Sequence, residues 1–173
     1  MTGGSGNDTY VASDSADADI IVEAASGGTD TLFINNNTFS IDGALTVGTT
    51  SGGAAANTLG QIEQLVLLSG TTLTMDSAQL DGVTLAVNST GGTNVLTVVA
   101  DTSGDDLDLT NLTFTAINYT GSDGESTAGT AFDANDSINI TATAGVNTIQ
   151  AAGTVAHTIT AGAGIDIITL VSG

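Results

Sequence analysis

The absence of every lysine and arginine constrains this chain more than anything it contains. Its 173 residues carry 19 acidic side chains, a single histidine and a formal charge of −19. Apart from protonated His157 and the terminal amine, no cation of the chain itself can meet a carboxylate. A compact state repels itself unless charge is neutralised from outside, and divalent cations held by carboxylates supply that neutralisation. Nucleic-acid binding through a basic footprint is excluded, because phosphate contacts need Lys or Arg. An anionic membrane surface repels the chain for the same reason.

The apolar residues predict an all-β fold. They make up 40% of the chain with only 3% aromatics, so the core is built from Val, Ile, Leu and Ala, which stack well on pleated strands. They come in short runs split by Gly, Asn, Asp, Ser and Thr, and no helix declares itself. Strands are expected at 9–12, 19–23, 30–34, 62–68, 71–75, 83–87, 94–100, 107–117, 137–143, 147–151, 157–161 and 166–171. This spacing fits a sandwich, a barrel or a solenoid.

Internal repetition selects the solenoid. Near the C-terminus VNTIQAAG, AHTITAGAG and IDIITLVSG superimpose, with Asn147, His157 and Asp166 at one position and Ile149, Ile159 and Ile168 at another. At the other end Asp8, Asp19 and Asp30 are equally spaced, and GGTDTLFI (27–34) recurs as GGTNVLTV (91–98). A short period with an apolar ladder marks coils that bury their faces only against neighbours. The expected unit is a rung of roughly 18 to 22 residues with two strands and two turns, about eight in all. Residues 35–61 and 120–136 read as loops or insertions on the stack. The division expected is 1–34 as a calcium-binding repeat and 35–173 as a Thr/Gly/Val-rich solenoid ending in degenerate repeats at 143–173. The alternative is a calcium-binding roll followed by a separate β-sandwich.

The stretch GGSGNDTYV (3–11) fills the calcium nonapeptide G-G-x-G-x-D-x-U-x without a mismatch. Calcium takes six to eight hard oxygens at about 2.4 Å. Gly3, Gly4, Ser5 and Gly6 permit a turn tight enough for backbone carbonyls to converge, and Asp8 adds charge. One copy cannot close a site, because stacked turns share each ion. The continuation GGSGNDTYVASDSADADIIVEAASGGTDTLFI (3–34) resembles an extended form of this repeat in the repeat-in-toxin family. The resemblance implies further calcium-site residues at Asp19, Glu23, Gly28 and Asp30, and a β-roll that folds with calcium. It also implies type I secretion and an extracellular or cell-surface location. AGAGIDIIT (161–169) is a degenerate copy that places Asp166 as a candidate ligand. Residues 35–160 resemble the spacer β-regions of bacterial surface-layer proteins and large adhesins.

Other acidic groups read differently. Asp14 and Asp17 are expected on the surface, and Asp101, Asp105, Asp106, Asp108, Asp123 and Glu125 in surface turns without EF-hand spacing. His157 is expected as a turn residue on a ladder. With no cysteine there is neither disulfide nor thiol chemistry. No apolar stretch is long enough to span a bilayer. Met1 runs straight into TGGSG rather than a leader, as in a segment cut from a longer chain.

Catalysis lacks parts: there is no Lys base, Arg clamp, Cys nucleophile or G-x-S-x-G elbow. A glycosidase needs only two carboxylates, but the aromatic platforms that grip sugars are nearly missing. The expectation is a non-enzymatic extracellular module whose folding and assembly depend on Ca2+, within a surface layer, matrix or filament. Its partners would be calcium, neighbouring copies and flanking domains. The alternative is a secretion, folding or adhesion module of a type I-secreted adhesin or enzyme.

Overall fold

In Thr72–Asp76, Leu73 and Met75 are fully buried while Thr72, Thr74 and Asp76 are half-exposed. That alternation, repeated in short segments, builds an all-β chain whose principal sheets are parallel. A computed structural model describes residues 1–13, 19–23, 27–36, 38–40, 45–48, 59–99, 106–114, 118–120, 126–128, 130–131, 137–141, 148–152, 156–160, 163 and 167–171.

The strands fall in successive passes. The first pass holds β1 (Thr9–Ala12) and β2 (Asp19–Val22), and the second β3 (Thr31–Ile34), β4 (Thr38–Ser40) and β5 (Leu45–Gly48). The third holds β6 (Gln64–Leu67), β7 (Thr72–Asp76) and a one-turn helix, α1 (Ser77–Leu80). The fourth holds β8 (Leu85–Ser89), β9 (Val95–Val99) and β10 (Asp106–Asp108). Then come β11 (Leu112–Thr113), β12 (Asn118–Thr120), β13 (Ser126–Ala128), β14 (Thr130–Ala131), β15 (Ser137–Thr141) and β16 (Thr148–Ala152). The last described strands are β17 (Ala156–Thr160) and β18 (Ile167–Val171).

The passes share three ladders and visit them in the same order, although among the described residues the first and last passes contribute a strand to only two of them. The first ladder runs β1-β3-β6-β8-β11 and the second β4-β7-β9-β15-β17. The third comprises β2-β5 and β10-β16-β18, with α1 standing in the pass between β5 and β10. The side chain of Gln79 turns back to accept the N–H of Asp76 (2.9 Å), closing the start of that helix. Thr9 lies beside Thr31, an offset of 22, and Gln64 beside Ala86, again 22. The offset is 33 from Thr31 to Gln64 and 42 from Val95 to Ser137. These two jumps coincide with 35–61 and 120–136, the segments expected as insertions. The second jump accommodates an antiparallel β12–β13 hairpin and β14, which pairs antiparallel with β8.

Register stacks like residues inward. Phe39, Leu73, Leu96 and Ile138 align in the second ladder, and Tyr10, Leu32, Leu65 and Val87 in the first. All belong to one core cluster that includes Ile21, Leu107 and Ile149 from the third. Such stacking gives each apolar side chain its burial from the passes above and below.

Several expectations need correction. The unit has three strands rather than two, and the longest described ladders hold five strands rather than eight. Strands of only three to five residues leave room for a third within each 22-residue offset. The residues 35–61 are not loop alone, because β4 and β5 lie within them. The three C-terminal repeats do not share one stack: Ile149 aligns with Ile168, but Ile159 aligns with Ile140 in another ladder. A spacing of nine or ten residues is one corner of a pass, so consecutive repeats occupy different sides. His157 is not in a turn but within β17, in register with the buried Ile138.

Candidate metal centre

Asp8 and Asp30 each precede a strand of the first ladder, so parallel pairing of β1 with β3 places one turn against the other. The N–H of Asp8 donates to Asp30 Oδ1 (2.8 Å), and the N–H of Thr31 donates to the Asp8 carbonyl (2.9 Å). Glu23 arrives from the end of β2, where residues 1–3 add a short parallel bridge between Thr2 and Val22. The N–H of Gly3 donates to the Val22 carbonyl (3.0 Å), bringing the opening glycines over Glu23.

Asp8, Glu23 and Asp30 therefore converge, with one carboxylate oxygen from each inside 4.8 Å of the others. That is a spacing a metal ion can bridge. Glu23 and Asp30 are buried at 0% and 1% exposure, and no cationic side chain exists to compensate them. The Tyr10 hydroxyl donates to Glu23 Oε2, and the Gly4 N–H donates to Asp8 Oδ2 (3.1 Å). Gly3 is held to glycine by close approach: a Cβ there would run into the Tyr10 hydroxyl and Glu23 Oε2, and lie 2.9 Å from Asp8 Oδ2. At Gly28 a Cβ would meet the carbonyl of Gly6, whose N–H in turn donates to Gly27.

The electrostatics follow from burial among like charges. Burial pushes the Asp30 carboxyl above the usual carboxylate range, against the lowering effect of the Asp8 N–H. The charges of Glu23, Glu63 and Asp8 push it further the same way. Burial raises the Tyr10 hydroxyl well above its ordinary value, reinforced by its bond to Glu23 and the charges of Glu23, Asp8 and Asp30. Tyr10 is thus held as a neutral donor to Glu23.

Of the residues expected at a calcium site, Gly3, Asp8, Glu23 and Asp30 come together. Gly4 contributes its N–H to Asp8, Gly28 packs on Gly6 beside the cluster, and Ser5 and Gly6 are exposed on the turn. Asp19 does not continue the Asp8–Asp30 stack, because its backbone belongs to β2 in the third ladder; its side chain lies outside the described residues. Asp166, Asp14, Asp17, Asp101, Asp105, Asp123 and Glu125 also lie outside them. Asp106 and Asp108, expected in a surface turn, belong instead to β10.

One participant was not anticipated. Glu63 Oε2 accepts the N–H of Asp30 (2.7 Å), extending the acidic stack by a third member. Its sequence signal, an acid directly before the apolar run QLVL, matches Asp8 before TYVA and Asp30 before TLFI. A second acidic pair repeats the device: Asp108 donates its N–H to Asp81 Oδ1 (2.8 Å), and the Gly82 N–H donates to the Asp108 carbonyl (2.9 Å). Asp108 Oδ1 accepts both the hydroxyl (2.6 Å) and the N–H (2.9 Å) of Thr110, which hold its carboxyl below the usual range. In a chain without cations, carboxylates are partly satisfied by backbone donors.

No family model, no curated protein and no solved structure matches the chain.

Proposed function

We propose that the successive passes are coils of a three-sided parallel β-solenoid, and that the chain is a non-enzymatic, calcium-stapled structural module. The observation that carries this reading is the convergence of Asp8, Glu23 and Asp30 from two adjacent passes within 4.8 Å. Parallel pairing at offsets of 19 to 42 residues supports coils over a sandwich, which is built from antiparallel neighbours. Three hard oxygen donors suit Ca2+, which tolerates irregular oxygen shells. A divalent ion would offset the mutual repulsion and fasten the first pass to the second.

In this reading the ion acts as a folding ligand. At low calcium the carboxylates repel and the N-terminal passes open. At a calcium concentration a hundredfold above Kd, binding adds about 2.7 kcal/mol per site. Such a dependence suits export through a type I route, folding outside the cell, and service in a bacterial surface layer, matrix or filament. The second reading is a folding or secretion module of a larger adhesin or enzyme. It is favoured by the fact that all three carboxylates come from one chain, so the ion need not join copies.

Isothermal titration with calcium, followed by hydrogen exchange in chelator and in calcium, tests the proposal. Saturable binding with protection gained over residues 1–34 is the expected result. Absence of binding at millimolar calcium would reduce the glycine turn to a turn. Sedimentation of the same samples separates the readings, since calcium-driven growth in mass supports assembly and a constant mass supports the folding module.

A further inference from the structure

The two long ladders present opposite kinds of outer surface. On the first, Phe33 and Val66 alternate with the inward-facing Leu32, Ile34, Leu65 and Leu67 and form a cluster apart from the core. Phe33 and Val66 are nonetheless buried, as is Asn88 in register with Val66, so that side is covered. On the second, the residues that alternate with buried Leu73, Met75, Leu96, Val98, Ile138 and Ile140 stay open to water. Thr38, Thr141, Thr158 and Thr160 are exposed there, and Thr72, Thr74, Thr97 and Asn139 are half-exposed.

Register turns these side chains into an array. Thr74, Thr97, Asn139 and Thr158 form one row across the strands. Val99, Thr141 and Thr160 form the next, which ends at Asp76, and Thr38, Thr72 and Val95 form a third. Parallel pairing spaces the members of a row evenly, about 4.8 Å apart, and neighbouring rows, two residues on, stand about 6.6 Å apart. Asp76 is the one charged residue among them, in a chain of −19.

We infer that this face is a docking surface for an ordered lattice of water, the face of an ice crystal. Ice is neutral and rigid, and the oxygens on its faces repeat at spacings close to those two. Threonine suits such a partner. Its stiff χ1 holds hydroxyl and methyl in preset positions, so little side-chain freedom is lost on docking. The hydroxyls continue the hydrogen bonds of the lattice while the methyls exclude liquid water between them. Val95 and Val99 keep the branched shape and supply the methyls alone. Other partners fit less well. A crystalline polysaccharide is gripped by aromatic faces, and no row holds an aromatic residue. A charged mineral needs carboxylates, which the rows lack apart from Asp76 at the end of one. A second copy would bury little apolar area against such a surface. The inference rests on the pairing of β4, β7, β9, β15 and β17 and not on the metal site.

Partition into slowly grown ice tests it, using the full chain in millimolar calcium with serum albumin as the excluded reference. The expected result is enrichment in the ice fraction at least tenfold over albumin. Thr97→Tyr, on the central strand of the array, removes that enrichment while circular dichroism is unchanged. Thr158→Tyr, at an exposed position, does the same and carries the test if Thr97→Tyr does not fold. Thr113→Tyr, exposed in the first ladder, leaves the enrichment intact. Exclusion of the unaltered chain to the same degree as albumin would overturn the inference. So would enrichment that survives both array substitutions, an equal loss with Thr113→Tyr, or capture by crystalline cellulose in place of ice.

Discussion

Two acidic clusters of this chain solve the same problem differently. At Asp81 and Asp108 every described hydrogen bond to a carboxylate oxygen comes from a neutral donor, and two of them, from Thr110, pull Asp108 below its ordinary range. At Asp8, Glu23 and Asp30 three carboxylates pack together, and burial with the neighbouring charges pushes Asp30 upward instead. Both clusters use stacked backbone N–H groups. What separates them is the third acid, Glu23, delivered by a strand of another ladder. Neutral donors hold the pair of acids, and the trio is the group of three carboxylates that could hold a metal ion.

That contrast can be broken by experiment. The largest effect is expected from Gly3→Ala, whose added methyl collides with the Tyr10 hydroxyl and Glu23. A cost of about 1–3 kcal/mol, in chelator and in calcium alike, should appear in the denaturation midpoint. An unchanged midpoint would mean that the opening glycines do not press on the cluster. Next in size is the comparison of Asp8→Ala with Asp81→Ala. The first should weaken calcium binding at least tenfold, about 1.4 kcal/mol. The second should leave calcium affinity untouched and cost about 1 kcal/mol of stability at any calcium level. Equal calorimetric effects would erase the distinction between the clusters.

The smallest effect is a dependence on pH. In chelator the folded Asp30 holds its proton more tightly than the unfolded chain does. Its contribution to stability is therefore greatest below the unfolded value and declines as pH rises through the raised folded value. Asp108 runs the opposite way, with stability present above the unfolded value and lost as pH falls through its lowered folded one. Hydrogen exchange across mild acid should thus show the first two passes more protected as pH falls and the Asp81–Asp108 pair less so. Calcium should flatten the first trend only.

The sequence made the strands legible but not their arrangement. TYVA, TLFI and TLTM announce themselves because burial alternates or saturates over four or five residues between turn formers. Three ladders cannot be told from two, since an inward-facing Ile looks the same whichever side of a coil it lines. Ile159 therefore matches Ile149 and Ile168 in sequence while lying in another ladder, and His157 matches the turn residue Asn147 in sequence while lying within β17. β4 and β5 were overlooked in a stretch of Asn, Gly and Thr, where pairing with established neighbours overrides weak local preference. Asp8 and Asp30 were readable from the glycine turn. Glu63 is not readable that way because no glycine stands two residues before it, as Gly6 and Gly28 do before Asp8 and Asp30, although its place ahead of an apolar run carries the same signal.

The register offsets also set how the molecule would yield under tension. Thr9 is held beside Thr31 and Gln64 beside Ala86, so peeling one pass from its neighbour frees 22 residues of chain. Drawn straight, that is about 75 Å of new length. Between Thr31 and Gln64 the step is 33 residues, or about 110 Å. A pulled chain would therefore lengthen in unequal instalments whose sizes spell out the insertions. An ion across Asp8, Glu23 and Asp30 would lock the first of those instalments.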